Sequence, residues 1–314
     1  MTPATAFERH PVACDVVFED VRDKGYHCFP RPLSPAAATQ LHASVQAVRQ
    51  FDEALFLTEE AFLADPVFRG VNPRPGRNLL DRYEHQLGFV EQDPQIVSAL
   101  SQLLGDDYRI LDRKLVCGVP EEVVPDWLKA RIIGNPVNNL GPYVRPEFRD
   151  VTYFFGIDYH QDLIDFPDRD ADMITLYVYL HPVTERDAPL HVLEGSHRLG
   201  GTLFPHDLER LDTDKWRYGA GVRGAIDCPQ IKLIGGAGFA ALWHGCTLHG
   251  TQPDRADKAR LSLRYLVTRS ETATRCGVDD LNAEIGWPVR LPSTRTDLDE
   301  KGRAKIKRNS VNKA

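Results

Sequence analysis

The stretch VTYFFGIDYHQD, residues 151–162, decides the fold prediction. It is rich in aromatic and β-branched side chains, which favours a strand over residues 151–159. On a strand, side chains two positions apart lie on the same face, so His160 and Asp162 can point together into the interior of a barrel. A neutral imidazole and a carboxylate are both ligands of divalent metal ions. The stretch therefore predicts a strand that delivers two metal ligands at its end.

Further short segments have the same texture, with apolar or β-branched residues bounded by turn residues. They are residues 108–117, 173–180, 190–193, 239–243, 246–251 and 260–268. Many strands joined by short turns indicate an antiparallel barrel or sandwich rather than alternating strand–helix units. Residues 119–150 carry several Pro, Gly and Asn and predict a long loop, of the kind that often covers a substrate site.

The part before these strands has a helical pattern. A capping residue followed by proline opens a run of helically spaced apolar residues at Ser34-Pro35 and again at Asp93-Pro94, and Gly105 is placed to end the second helix. We therefore expect one elaborated domain, mainly β with flanking α-helices. Its parts are a mostly helical region over residues 1–107, a β core over 108–270 and a partly flexible C-terminal extension over 271–314.

A third metal ligand is available in WHGCTLHGT, residues 243–251, which contains His244 and His249. Two histidines and one carboxylate make the facial triad of non-haem Fe(II) oxygenases, with three positions left open. Two of these positions can hold a bidentate 2-oxo acid, and one can hold dioxygen. His244 and His249 are five residues apart, so on one strand they face opposite sides and only one of them can join the site.

The strand predicted over residues 260–268 carries positively charged side chains that can lie near the predicted metal site. Arg260, Ser262 and Arg264 share one face of it. A guanidinium fork suits the distal carboxylate of a dicarboxylic co-substrate, because it can bind both oxygens at once. The alternative is that Arg260 or Arg264 belongs to a structural ion pair.

The order of these motifs resembles the phytanoyl-CoA dioxygenase family over roughly residues 20–270. The matching motifs are His160 and Asp162, then Gly195-Ser196-His197, then His249-Gly250-Thr251, and an arginine eleven residues after His249, at Arg260. The resemblance implies a double-stranded β-helix core, of the jelly-roll or cupin-like kind. It also implies an Fe(II)- and 2-oxoglutarate-dependent dioxygenase, with O2 as the second co-substrate.

The resemblance further implies roles for individual residues. His160, Asp162 and His249 are the iron ligands and the catalytic centre, Arg260 with Thr251 holds the far carboxylate of 2-oxoglutarate, and Tyr177 lines the co-substrate pocket. Two turns depart from the family's pattern. The usual Asn-Gly before Gly195-Ser196-His197 is replaced by Asp187-Ala188-Pro189, and 235–238, GGAG, lacks an acidic residue. Both departures concern the detail of the pocket and leave the triad intact.

The expected reaction is hydroxylation of a small polar metabolite, such as an amino acid or a natural-product intermediate, with release of succinate and CO2. Related enzymes that halogenate replace the carboxylate ligand with a small residue, whereas Asp162 is present here. The candidate substrate contacts are Arg264 and, from the 119–150 segment, Trp127, Arg131 and Tyr143. The alternatives are a non-catalytic metal-binding barrel that acts as a binder or sensor, and a metal-dependent hydrolase or isomerase on the same barrel.

Composition excludes several other classes of protein. The 314 residues are 42% hydrophobic and 26% charged, which is typical of a globular chain. The net charge of −7 argues against nucleic acid as a partner, and no run approaches the roughly 18 apolar residues of a membrane span. The N-terminal stretch is charged by Glu8 and Arg9 and lacks a signal-peptide core, and the six cysteines show no C-x-x-C spacing. We therefore expect a cytoplasmic protein whose partner is a small-molecule substrate; the sequence predicts no particular oligomeric state.

Overall fold

Helices lie mainly at the start of the chain. The computed structural model describes residues 12–64, 76–253, 256, 258–291, 295–300 and 304–307. Within these ranges the α-helices are α1 (Val12–Lys24), α2 (Pro35–Val48), α3 (Glu59–Ala64), α4 (Gly88–Glu91), α5 (Pro94–Leu104), α6 (Asp126–Ile132) and α7 (Gly277–Ile285). No helix in the described part of the chain has both the length and the apolar character needed to cross a bilayer.

Strands make up most of the remaining regular structure. They are β1 (Tyr26–Cys28), β2 (Arg109–Gly118), β3 (Val137–Asn139), β4 (Thr152–His160), β5 (Met173–Tyr179), β6 (Leu190–Leu193), β7 (Asp207–Asp212), β8 (Lys215–Gly219), β9 (Ala225–Leu233), β10 (Ala240–His244), β11 (His249–Thr251) and β12 (Arg260–Thr268).

The strands form two antiparallel layers. One layer has the order β10-β5-β12-β2, with β1 at its outer edge, and the other has the order β4-β11-β6-β9, extended by β8 and β7. The layers join where β2 pairs in parallel with β4, and β3 pairs with β4 as well. Two four-stranded layers connected in this way form a jelly roll. The predicted mainly β class with a double-stranded β-helix core is confirmed.

Side chains alternate between the inside and the outside of this core. Outward residues of the first layer pack with the apolar faces of α2 and α5 in the largest hydrophobic cluster, which includes Leu41, Val45, Leu100, Leu103, Leu176, Val178, Leu263 and Val267. Inward residues of both layers meet in a second cluster, which includes Val116, Tyr177, Tyr179, Leu190, Val192 and Trp243. Each large apolar side chain that is fully buried contributes about 1.5–3 kcal/mol.

The two predicted helices form where their start signals lie. The side chain of Asp93 accepts a hydrogen bond from the Gln95 amide and caps α5. Gly105, at φ +90°, ends the same helix in a backbone conformation that favours glycine. α2 begins at Pro35 and buries Ala38, Leu41 and Val45.

Several local expectations were wrong. Residues 119–150 are not a featureless loop, because they contain α6 and β3. The strand expected over 246–251 begins only at His249, since the Thr247 amide donates to the His244 carbonyl in a turn. β7, β8 and β9 were not predicted, and β7 is largely exposed, so its sequence lacks the apolar alternation of a buried strand.

Candidate active site

His160, Asp162 and His249 converge although they come from two distant segments. His160 ends β4, Asp162 begins the short 3-10 turn that follows, and His249 is the first residue of β11. The antiparallel register of β4 and β11 places His249 opposite His160, with their ring centroids 4.2 Å apart. His249 Nε2 lies 3.7 Å from Asp162 Oδ2. One ligand atom from each residue lies within 4.8 Å of the other two, which is the geometry of a shared metal site.

Backbone carbonyls fix the orientation of both imidazoles. His160 Nδ1 lies 3.0 Å from the Asp158 carbonyl oxygen, and His249 Nδ1 lies 3.1 Å from that of Thr247. A carbonyl can only accept, so Nδ1 carries the proton and donates, which leaves the Nε2 lone pair available as a ligand. Burial lowers the pKa of His160 to about 3 and also lowers the pKa of His249. Both rings are therefore neutral, as metal ligation requires.

Asp162 is held by three donors. Thr175 Oγ1 donates to its Oδ2 at 2.5 Å, Trp243 Nε1 donates to the same oxygen at 3.0 Å, and Arg264 Nη2 donates to Oδ1 at 2.5 Å. Burial by itself raises the pKa of this carboxyl, but the charge of Arg264, the neighbouring histidines and the Thr175 hydrogen bond together outweigh it, and the net pKa lies well below the ordinary value. Asp162 is thus an oriented, ionised carboxylate.

Gly250 and Gln161 keep the two ligand segments together. A Cβ on Gly250 would lie 2.8 Å from the Ile157 carbonyl oxygen, so only glycine lets β11 approach β4 this closely. The buried side chain of Gln161 donates to the carbonyls of Gly200 and Cys246 and accepts from the Thr202 amide. These hydrogen bonds fix the backbone beside His160 and Asp162 to the segments at Gly200 and at Cys246.

Arg260 lies in the first position of β12 with only 1% of its surface exposed. Its Nη1 donates to the Ala188 carbonyl and to Thr251 Oγ1, the latter at 3.3 Å, while Thr251 Oγ1 donates to Ala188 O at 2.9 Å. Gly118 lies opposite Arg260 on β2 and leaves the guanidinium room. Arg260 and Thr251, paired by the resemblance, are thus in direct contact.

The Asp187-Ala188-Pro189 turn takes part in this contact. Ala188 has φ +46°, a left-handed conformation that glycine adopts more readily. This is the position at which the sequence departs from the Asn-Gly pattern. The turn therefore has an alanine at a position whose φ favours glycine, and the carbonyl of this alanine accepts a hydrogen bond from Arg260.

Ser262 and Tyr177 line the wall between Arg260 and the triad. Ser262 is fully buried on the same face as Arg260, and within the described residues its Oγ has no hydrogen-bond partner. Tyr177 is 5% exposed and lies next to Arg264 in the register of β5 and β12. Its ring lies 5.9 Å from that of Trp243.

The four predicted substrate contacts separate into two groups. Arg264 lies at the triad, on Asp162. The other three surround Phe62. The rings of Trp127 and Tyr143 lie 5.6 and 5.0 Å from the Phe62 ring. The Arg131 guanidinium stacks on the same ring at 4.8 Å. Trp127 and Tyr143 pack against the outer, helix-side cluster, not the barrel interior. Their role in substrate binding stays a prediction.

His244, the rival for the third ligand position, lies on the outward face of β10. Its Nε2 is 3.0 Å from Asn282 Oδ1, and its Nδ1 accepts from the Cys246 amide at 3.2 Å. Sequence reasoning missed Thr175, Trp243 and Gln161. The sequence indicates these residues only weakly, because each is a polar group at an inward or turn position whose partner depends on the tertiary structure.

A double-stranded β-helix that gathers two histidines and a carboxylate defines the class of non-haem metal-dependent oxygenases. A model of the phytanoyl-CoA dioxygenase family matches residues 21–262, and the chain belongs to this family. The resemblance of the sequence motifs is therefore confirmed.

Individual relatives are distant. Over 127 residues the chain is 26% identical to a probable alpha-ketoglutarate-dependent hypophosphite dioxygenase of Stutzerimonas stutzeri; the match covers 38% of this chain and 43%, less than half, of that relative. Two solved structures of the alpha-ketoglutarate-dependent epimerase SnoN share the fold with a TM-score of 0.51. They are 15% and 16% identical, and each comparison covers 97% of this chain and 96% of SnoN. One of them is a complex with Fe3+, alpha ketoglutarate and nogalamycin RO.

Proposed function

We propose that the chain is an Fe(II)- and 2-oxoglutarate-dependent dioxygenase that hydroxylates a small polar metabolite and releases succinate and CO2. The convergence of His160, Asp162 and His249 within 4.8 Å carries this proposal. The predicted iron and 2-oxoglutarate agree with the family and with the relative named as alpha-ketoglutarate-dependent.

The donor set fits ferrous iron. Two neutral imidazoles and one carboxylate are the donor set of non-haem Fe(II) oxygenases. Iron bound there would supply the redox chemistry by which 2-oxoglutarate and dioxygen are used for oxidation. The protein contributes the orientation of the ligands. The carbonyls of Asp158 and Thr247 hold the imidazoles, and Thr175 and Trp243 hold the carboxylate.

The inner wall of β12 fits a dicarboxylic co-substrate. Arg260 presents a planar fork of N–H donors, and Ser262, two residues further on, presents a buried hydroxyl to the same interior. A carboxylate placed between them gains charge-assisted hydrogen bonds from both. In this role Thr251 and the Ala188 carbonyl hold the guanidinium in place, and Tyr177 and Trp243 exclude water beside the chain of the acid.

The assay measures succinate. Purified protein with Fe(II), ascorbate and 2-oxoglutarate in air is expected to form succinate slowly without substrate, and faster with the correct member of a library of amino acids, small oxyanions and natural-product intermediates. Hypophosphite belongs in the library because one relative is named for it. Product analysis has to separate hydroxylation from epimerisation, since SnoN is named as an epimerase.

Two outcomes contradict the proposal. The first is a protein that neither binds 2-oxoglutarate in the presence of Fe(II) nor decarboxylates it under any condition of the screen. The second is substrate turnover with Zn(II) in the absence of oxygen, which is the behaviour of a hydrolase or isomerase. The His249→Ala variant serves as the background for every measurement.

A further inference from the structure

Two cations lie side by side on the inner wall of the barrel. Lys114 on β2 and Arg264 on β12 are direct partners in the antiparallel register. Their neighbours Leu115, Leu263 and Tyr265 point into the outer core, so both cations face the interior. Residues directly opposite in such a pair have Cβ atoms about 5 Å apart, which places two like charges next to each other.

The acceptors of these two cations are few. Arg264 Nη2 donates to Asp162, and Arg264 Nη1 is 3.9 Å from Asp112 Oδ2, beyond hydrogen-bond distance. Lys114 Nζ is 2.5 Å from Asp112 Oδ2. These are the ion-pair partners of both side chains among the described residues. A guanidinium has five N–H donors and an ammonium has three, so the pair has donor capacity beyond these contacts.

Three carboxylates act on this pair: Asp112 and Asp162 as ion-pair partners, and Asp165 through its negative charge. Asp162 is shared with the proposed metal site, and its other oxygen already accepts from Thr175 and Trp243. Asp112 is partly exposed at the rim and serves both cations. A divalent metal ion on Asp162 would add positive charge beside these two cations, which favours a further anion there.

The carboxylate of the co-substrate at Arg260 is not that anion, and its 2-oxo acid end belongs to the metal in the proposed function. Arg260 and Arg264 are four residues apart on one strand, which corresponds to about 13 Å. A carboxylate held by Arg260 and Ser262 is therefore far from Lys114. The barrel has two separate cationic positions on this wall, and Arg264 marks the one in contact with the triad.

We infer that the prime substrate carries an anionic group, a carboxylate, phosphonate or sulfonate, and that Lys114 and Arg264 bind it next to the metal site. The inference rests on the proposed function and specifies its substrate class. An anion that bridges the ammonium and the guanidinium fork lies one side chain away from Asp162. The bond to be oxidised is then held close to the metal ligands, on the side of β2 and β12.

The test is isothermal titration calorimetry under nitrogen on the Fe(II)- and 2-oxoglutarate-loaded protein. The probes are methylphosphonate, acetate and methanesulfonate, with dimethyl sulfone as a neutral molecule of similar size. At least one anion is expected to bind, and the sulfone is not. Lys114→Met is the deciding variant because Lys114 does not contact Asp162, and it is expected to weaken anion binding about tenfold. Lys215→Met, on β8 and half exposed, is the matched control and keeps wild-type binding.

The outcomes separate the two proposals. Equal anion binding by wild type and Lys114→Met, binding of the sulfone as tight as that of the anions, or no binding of any anion overturns the inference. A purely structural role of Lys114 lowers the free energy of unfolding but leaves the anion affinity unchanged. A 2-oxoglutarate titration of the same samples reports on the proposed function alone. Its failure counts against the oxygenase, whatever the anions do.

Discussion

The two faces of β12 are both buried, but they are built from opposite chemistry. The inward face carries Arg260, Ser262 and Arg264, and the outward face carries Leu261, Leu263 and Tyr265. Arg260 is 1% exposed and Leu263 is 0% exposed, so exposure does not separate them. What separates them is their partners. The outward side chains pack against helices, whereas the inward ones meet carboxylates, a carbonyl and the barrel interior.

This difference indicates what each face of β12 contributes to the protein. Apolar burial on the outward face stabilises the fold in proportion to the area removed from water. Polar burial on the inward face is unfavourable unless each group finds a partner, so it marks positions where a ligand is expected. Substitutions on the two faces should therefore separate function from stability.

The largest expected effect is loss of turnover on the inward side of the barrel. His249→Ala is expected to reduce iron-dependent succinate formation by at least about 1,000-fold, because it removes a proposed metal ligand. The His249 ring is 3% exposed and lies 4.7 Å from the Trp243 ring, so the variant should lose some stability while remaining folded. Retention of iron-dependent turnover would falsify the assignment of this histidine.

Asp162→Ala is compared with His249→Ala, because it changes both the proposed metal site and the hydrogen bonds around it. It leaves Arg264, Thr175 and Trp243 without their shared acceptor. Removing one partner of a buried ion pair destabilises by about 3–5 kcal/mol. We expect this variant to lose both turnover and stability, and equal unfolding temperatures for the two variants would argue against the hydrogen-bond network around Asp162.

The outward face gives the converse effect. Leu263→Ala should lower the free energy of unfolding by about 3 kcal/mol, because a fully buried leucine is truncated. The KM for 2-oxoglutarate and the iron affinity of the folded protein should be unchanged. Urea denaturation and succinate kinetics at low temperature measure both quantities. Leu211→Ala, at a position of β7 that is 37% exposed, is the control and should shift stability by less than about 0.5 kcal/mol. A large rise in KM for Leu263→Ala would break the distinction between the faces.

A smaller effect is expected at Arg260, the proposed anchor of the co-substrate. Arg260→Lys keeps the charge but loses the planar fork, so the KM for 2-oxoglutarate should rise about tenfold with a smaller change in kcat. Ser262→Ala should raise it less, by about threefold, because it removes one neutral donor. Initial rates over a range of 2-oxoglutarate concentrations measure both. An unchanged KM in Arg260→Lys would show that Arg260 does not bind the far carboxylate of 2-oxoglutarate.

The sequence predicted the parts of the site that are local in the chain. His160 and Asp162 lie two residues apart at a strand end, and Arg260 opens a strand whose alternation is visible. Thr175, Trp243 and Lys114 could not be predicted, because their partners depend on the register between distant strands. The prediction of a loop over residues 119–150 failed because Pro and Gly also occur beside α6 and β3.

The smallest expected effect concerns a buried histidine outside the inward row. His197 is 2% exposed, its Nε2 lies 2.9 Å from the Arg22 carbonyl oxygen, and burial lowers its pKa to about 4. In the unfolded chain a histidine has a pKa of about 6.5, so its contribution to stability is complete above that pH and is lost as the pH falls towards 4. His197→Gln removes this dependence. Between pH 7 and pH 5 the variant should lose about 1–2 kcal/mol less free energy of unfolding than the wild type.

Urea denaturation at the two pH values measures the difference, and His85→Gln, at an exposed position, is the matched control. The absolute stability of His197→Gln can fall for packing reasons, so the change with pH decides the outcome. Parallel pH dependence in wild type and variant would show that His197 is protonated in the folded protein. An iron affinity at pH 7 that differs between this variant and the wild type would contradict the separation of outer packing from the inward site.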